Sequence, residues 1–295
     1  MMLCGNHGSS ILAPTFGVIR QNLTATTVAM TTLVFQSFRR DAVPKRIHWC
    51  IQSVRGWCES NGFMYRFLGD ELLDVVPDWV RSKCADSILP VTDLGRILWA
   101  KRFLDEGYGR VIWIDADVLV FAPHLFSIPS GADFFLCRET WVDLKKLDEQ
   151  YGHRINNSIS VYNSGSTFLR SYISLCFEIA RTKDRIGSLD LGTMLFGGNS
   201  SEIDIPLLRN VGCFCGNTLL EIAKAAPGRW IDTYIQAHGA PIYAANLCNS
   251  FVAKGYPAFL FGYAVKSLLE NRGGITDMLR EARRGTLTSV DAPAG

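Results

Sequence analysis

The segment RVIWIDADVLVF (110–121) limits what this chain can fold into more than any other. Apolar residues without polar alternation flank two aspartates spaced i, i+2. Such a run reads as a strand covered on both faces, and so as part of a sheet with helices on either side. In an extended chain Asp115 and Asp117 point the same way and converge on one point. Two carboxylates at close range repel, and one is driven toward protonation unless a cation compensates. Carboxylate oxygens suit Mg²⁺ or Mn²⁺, ions that keep positions open for substrate phosphates. The small Ala116 leaves room for a bulky ligand. The plainer alternative is a strand-end turn carrying two solvated aspartates.

The surrounding pattern agrees with a layered α/β domain. TLVFQSF (32–38) is a short run of β-formers, and FMYRFLG (63–69) is a second. Between them Ile51, Val54, Trp57 and Cys58 recur at helical spacing, and Asn61-Gly62 stops the helix. PDWVRSKCA starts a short helix on its proline. From Thr92 a helix opens, capped by Thr92 or Asp93. Leu94, Ile97, Leu98 and Leu104 form its apolar side, and the glycines of EGYG (106–109) end it. ADFFLC (132–137) and SISVY (158–162) are later strands, and TFLRSYISLCFEIAR and TLLEIAKAA are later helices. Residues 138–157 are polar and charged and are expected to form an excursion beside the site. Strands alternating with helices predict an α/β sheet with helices on both faces. Such sheets bind ligands at the carboxyl ends of their strands, which is where Asp115 and Asp117 fall.

Composition narrows the function. Thirty basic side chains stand against 28 acidic ones, with no basic block, which argues against a nucleic-acid partner. Nine cysteines, an odd number scattered among apolar neighbours, predict reduced thiols and a cytoplasmic protein, with peripheral attachment at the inner membrane face left open. The pair in CFC (Cys213, Cys215) is no zinc framework by itself, and the sequon at Asn22 means little without a secretory context. No run is long and apolar enough for a transmembrane segment. Residues 1–29 lack the basic start of a signal peptide and are expected to be a flexible extension or the product of an early start codon. The domain is expected over 30–285, followed by a frayed tail over 286–295.

An apolar strand running into Asp-x-Asp resembles the metal site of glycosyltransferases with the GT-A fold. TDLGRILWAKRFLDEGYGRVIWIDAD is similar to the S/T-D-x-x-R, helix, glycines, strand, D-x-D pattern of families 8 and 32 and their small bacterial relatives. VPKRIHW and SVRGWCESNGFMYRFLGDE fit the region before it, and beyond residue 121 the match thins. The resemblance implies that the sheet is mixed and mostly parallel, in a single domain. Asp93 and Arg96 share a helix face by their i, i+3 spacing. The resemblance implies that they face a nucleotide sugar, where a guanidinium holds carboxylate or phosphate in a defined geometry.

Further implications follow from the resemblance alone. Asn157 and Ser158 match the segment that contacts the donor sugar, with Asn163 and Gly165 as the rival position. RIGSLDLGT (185–193) resembles an acceptor-side segment whose proline is replaced here by Ser188, and it makes Asp190 the candidate catalytic carboxylate. Gln36 is placed near the base. The third metal ligand is Asn246, counted back from Ser250-Phe251 in a pattern like H-x-x-x-S-W. His238 is the competing candidate. The reaction implied is metal-dependent transfer of a hexose from a UDP- or GDP-sugar to a glycan, lipid or protein hydroxyl, with retention as the default. The alternatives are a non-catalytic nucleotide-sugar binding module and, on the Asp-x-Asp alone, a haloacid-dehalogenase-type phosphatase.

Overall fold

Residues 110–121 fold as two strands in two different sheets, with both aspartates between them. The computed structural model describes residues 31–84, 86–143, 150–196, 205–214, 216–226, 228–253, 255–270, 275 and 277; the 1–29 extension and the 286–295 tail lie outside them. The chain runs β1 (Thr32–Ser37), α1 (Lys45–Asn61), β2 (Met64–Leu68), α2 (Glu71–Asp74), α3 (Asp78–Arg81) and α4 (Leu89–Asp105). It continues through β3 (Arg110–Ile114), β4 (Val118–Val120), β5 (Phe134–Asp143), β6 (Gln150–Asn163) and α5 (Thr167–Thr182). The last third holds β7 (Leu207–Leu208), β8 (Val211–Cys213), α6 (Gly216–Ala223), α7 (Arg229–His238), β9 (Ala244–Asn246), α8 (Ser250–Ala253) and α9 (Ala258–Glu270).

The described strands form a six-stranded sheet in the order β2-β1-β3-β6-β5-β7 and a three-stranded sheet in the order β4-β9-β8. In the large sheet β2, β1 and β3 run parallel, β6 is antiparallel to both β3 and β5, and β7 is parallel to β5. Its centre is β3, buried at every residue, as its unbroken apolar run requires. On one face Leu33, Phe35, Val111 and Trp113 pack on Leu94, Ile97 and Phe103 of α4 and Leu169, Tyr172 and Cys176 of α5. On the other, Val34, Ile112 and Ile114 meet Val54 and Trp57 of α1 together with Val118 and Val120 of the small sheet. A third core joins the small sheet to α6, α7 and α9. Each fully buried side chain of this size stabilises the fold by roughly 1.5–3 kcal/mol. The architecture is the mixed, mostly parallel sheet with helices on both faces expected of a GT-A-type domain. Among the described residues no helix is long and apolar enough to cross a membrane.

Two expectations need correction. The helix carrying Asp93 starts at Leu89, with Pro90 in its first turn, where a missing N–H is harmless. Asp93 therefore lies inside the helix instead of capping it. Residues 138–157 are no excursion as far as they are described: β5 and β6 pair antiparallel from Cys137↔Asn156 to Asp143↔Gln150 and extend the sheet into a ribbon.

Candidate functional site

The site lies at the carboxyl ends of β1 and β3. Asp115, Ala116 and Asp117 form a turn closed by the Val118 N–H, which donates to the Asp115 carbonyl at 3.1 Å. The strand alternation expected from the sequence is thus not what brings the aspartates together. Ala116 opens no space either, because it is buried against Ile47 and Ile51 of α1. The Asp115 N–H donates to the Ser158 carbonyl at 2.7 Å, and its carbonyl accepts from Gln36 Nε2 at 3.2 Å. Asp117 is held from the opposite side. Its carbonyl accepts the Leu247 N–H at 3.0 Å, and its Oδ2 accepts the Asn249 N–H at 2.8 Å.

Beneath the turn lies a buried polar network. Asp115 Oδ1 accepts from Trp113 Nε1 at 2.7 Å and from Arg96 Nη1 at 3.2 Å. The same Nη1 donates to the Asn157 carbonyl at 3.1 Å, and Nη2 is ion-paired with Asp93. Asn157 Nδ2 stands 3.4 Å from Asp93 Oδ1. Gly192 passes so close that a Cβ there would collide with the Asp93 carboxylate. Arg96 has spent both terminal nitrogens on protein acceptors, and only its Nε is buried without a partner.

The charges do not balance. Arg96 neutralises Asp93, and Asp115 and Asp117 remain as a close pair of carboxylates. Burial pushes Asp115 up to about 7; Arg96 opposes the rise and Asp117 adds to it. Burial also raises Asp117, against the Asn249 N–H that stabilises its charged form. Asp115 keeps 27% of its side-chain surface open to solvent, so about 7 bounds the effect from above. A divalent cation fits these residues, because it would remove the excess charge, and Asp115 Oδ2 and Asp117 Oδ1 retain lone pairs for it. Among the described residues no cluster of three or more His, Cys, Asp and Glu side chains is placed to hold a metal. The site therefore offers two carboxylates, a donor set that suits an ion whose other positions go to water and substrate phosphate, as is usual for Mg²⁺.

Gln36, Asp93, Arg96, Asn157 and Ser158 are brought together around Asp115, all buried. Gln36 is wholly enclosed, and its Oε1 is taken by the Tyr65 hydroxyl at 3.0 Å, so it braces the turn and does not face a base. The rival pair Asn163 and Gly165 lies at the other end of β3, where Asn163 pairs with Arg110 and its Nδ2 holds the Ala132 carbonyl.

Asn246 sits against the site, with Nδ2 3.5 Å from Asp115 Oδ2; its Oδ1 accepts the Cys248 N–H at 2.7 Å. His238 is fully buried elsewhere. Its Nε2 donates to the Arg209 carbonyl at 2.8 Å and its Nδ1 faces the Thr140 hydroxyl at 3.1 Å, and burial lowers its pKa to about 4. Asp190 is turned to its own loop. Its Oδ2 binds Lys183 Nζ at 2.7 Å and the Gly187 N–H at 2.8 Å, interactions that lower its pKa.

Three contributors escaped the sequence reading. Trp113 was legible, since it shares a strand face with Asp115. Arg46 and Asn249 were not. Arg46 Nε donates to Asn249 Oδ1 at 2.9 Å, and Asn249 in turn holds Asp117.

No protein-family model and no curated protein sequence matches the chain. Among solved structures it is similar to a glycosyltransferase involved in the glycosylation of the major capsid of PBCV-1. That match has 9% identity, 76% of this chain and 96% of that chain covered, and a TM-score of 0.45. It is also similar to Drosophila β1,4-galactosyltransferase 7. A mutant of that protein in complex with manganese, UDP-Gal and xylobiose matches at 11% identity, 55% and 68% coverage and a TM-score of 0.26. The catalytic domain with xylobiose matches at 11%, 64% and 77%, and 0.25. Likenesses this remote carry no argument about chemistry, which rests on the side chains above.

Proposed function

We propose that the chain is a glycosyltransferase that moves a sugar from a nucleoside diphosphate sugar to an acceptor hydroxyl. The observation that carries this reading is the uncompensated pair Asp115 and Asp117 at the carboxyl ends of parallel strands, on a bed of buried, hydrogen-bonded polar groups. Asp115 and Asp117 would hold the divalent cation, Mn²⁺ or Mg²⁺. When bound, such an ion supplies Lewis-acid stabilisation of the leaving diphosphate.

The chain's own residues fix the geometry. Arg96 and Trp113 lock Asp115 Oδ1, which turns Oδ2 outward. Asn249 locks Asp117 Oδ2, which leaves Oδ1. Gln36 and Ser158 hold the backbone of the turn, so neither carboxylate has to reorganise when the ligand arrives. Asn246 completes the rim. As folded it offers Asp115 its amide N–H₂, and serving as a ligand requires the carboxamide to turn its oxygen toward the ion.

In the reaction the bond between the sugar C1 and the β-phosphate oxygen breaks, and its electron pair leaves with the diphosphate. The acceptor oxygen bonds C1, and its proton is released. Retention of configuration is the expectation from the resemblance.

The test is a screen of UDP-, GDP- and CDP-sugars with Mn²⁺, read by hydrolysis and by protection from thermal unfolding. Metal-dependent protection by one donor with slow hydrolysis supports the proposal. Protection by none of them at millimolar concentration refutes it. A second reading, a binding module without turnover, is favoured by one observation: Asp190, the expected catalytic carboxylate, is engaged with Lys183. Tight metal-dependent binding with no turnover against a broad acceptor panel would select that reading.

A further inference from the structure

The resemblance has Arg96 face the nucleotide sugar, where a guanidinium holds carboxylate or phosphate, yet the terminal nitrogens of Arg96 are taken by Asp93, Asp115 and the Asn157 carbonyl. A leaving diphosphate gains negative charge as the C1–O bond breaks, and Arg96, buried with most of its terminal N–H groups on protein acceptors, has little donor capacity left for it. Another guanidinium is linked to the second aspartate of the turn. We infer that Arg46 contacts the β-phosphate of the donor, an inference that rests on the transferase reading above.

Arg46 is the second residue of α1, in its first turn after the loop that leaves β1. Its Nε is tied to Asn249 Oδ1 at 2.9 Å, and the Asn249 N–H is on Asp117 Oδ2 at 2.8 Å, so one residue links the guanidinium to the carboxylate. Its guanidinium carbon lies 5.8 Å from the ring centre of Phe261, and the side chain is partly buried. Nε and the ring together hold the group in one orientation. Among the described residues neither Nη of Arg46 makes a hydrogen bond or an ion pair, whereas Arg40, Arg66 and Arg185 each reach a carboxylate. A guanidinium fixed at Nε with both terminal nitrogens unspent presents the planar fork that binds phosphate oxygens in pairs. Through Asn249 this guanidinium is linked to Asp117, whereas Arg96 is bonded to Asp115. For a diphosphate held at the aspartates, Arg96 would serve the protein and Arg46 the ligand.

The experiment is calorimetric titration of UDP, GDP and the matching monophosphates in Mn²⁺ into the full chain, the Arg46→Met and Arg46→Lys variants and Asn249→Ala. Arg46→Met is expected to weaken the bound diphosphate about tenfold or more and the monophosphate less than about threefold, with Arg46→Lys between, because a point charge replaces a fork. Asn249→Ala frees Nε without removing charge and is expected to lower the diphosphate preference about threefold. Affinity for Mn²⁺ alone, read by electron paramagnetic resonance, stays within about twofold, since Arg46 is no ligand of the ion. A diphosphate preference that survives Arg46→Met overturns the inference, as does an equal loss for mono- and diphosphate, the mark of a mere brace. Should Arg46→Met fail to fold, an unchanged preference in both Arg46→Lys and Asn249→Ala overturns it equally. A wild-type chain that binds neither UDP nor GDP fails the transferase reading itself, a result distinct from these.

Discussion

Replacing Asp115 by asparagine should make the metal-free protein more stable, and the gain should depend on pH. The folded state holds the Asp115 proton up to about 7, whereas an ordinary carboxyl releases it near 3.8. Between those values the folded chain binds more protons than the unfolded chain, so stability falls as pH rises through that window. The full penalty is present above about 7. At ~1.4 kcal/mol per pH unit the interval corresponds to roughly 4 kcal/mol, an upper bound because part of the side chain meets solvent. The asparagine keeps an oxygen for Trp113 and Arg96 and removes the charge, so a gain of about 1–3 kcal/mol at pH 8 is expected, against almost none at pH 4. For a chain of this size that is about 2–5 °C in Tm. Melting both proteins in EDTA at the two pH values measures it. Added Mn²⁺ should raise the Tm of the wild type and leave the variant nearly unchanged. A variant less stable than wild type at pH 8, or a gap that does not vary with pH, would refute the view that this turn carries uncompensated charge.

Asp117→Asn should abolish Mn²⁺-dependent binding of UDP or GDP; unchanged affinity by calorimetry would remove the metal site. Asn246→Ala should weaken that binding about tenfold, as losing a ligand or its support does, while the buried His238→Ala should act on Tm and not on affinity. Asn246→Asp separates ligand from donor: a ligand role keeps or strengthens Mn²⁺ affinity, and a donor role weakens it through repulsion of Asp115. Asp190→Asn should loosen its turn and lower Tm by a few degrees, about 1 kcal/mol of hydrogen bonding, with nucleotide affinity kept within about twofold. Turnover lost at constant Tm would instead make Asp190 catalytic.

Local signals carried the framework. The apolar run of β3, the spacing of Ile51, Val54, Trp57 and Cys58, and the left-handed Gly62 that ends α1 were legible because each depends on near neighbours. Asp93, Arg96, Asn157 and Asp115 meet in one hydrogen-bonded network, although only the resemblance pointed to Asn157. The β5–β6 ribbon was missed because its charged residues find uncharged partners across the strands, as in the Asn156–Glu139 hydrogen bond and Arg154 over Trp141, and so show no buried stripe. Arg46 was invisible for another reason. Its partner Asn249 is 203 residues away, and nothing near position 46 reports that contact. His238 shows the converse limit. Its chemistry suited a metal, but only the fold reveals that both ring nitrogens are used inside the core.

The turn between β3 and β4 joins two sheets, and each aspartate is moored to a different one. Asp115 is pinned to β6 of the large sheet through Ser158, and Asp117 to the end of β9 of the small sheet through Leu247. The bite between the carboxylates is therefore a gauge of how the sheets sit against each other. Side chains wedged into that seam, Val54 and Trp57 against Val118 and Val120, act as shims that set its width. Trimming one of them, as in Val54→Ala, would detune the grip of the site from a distance while leaving every polar residue in place.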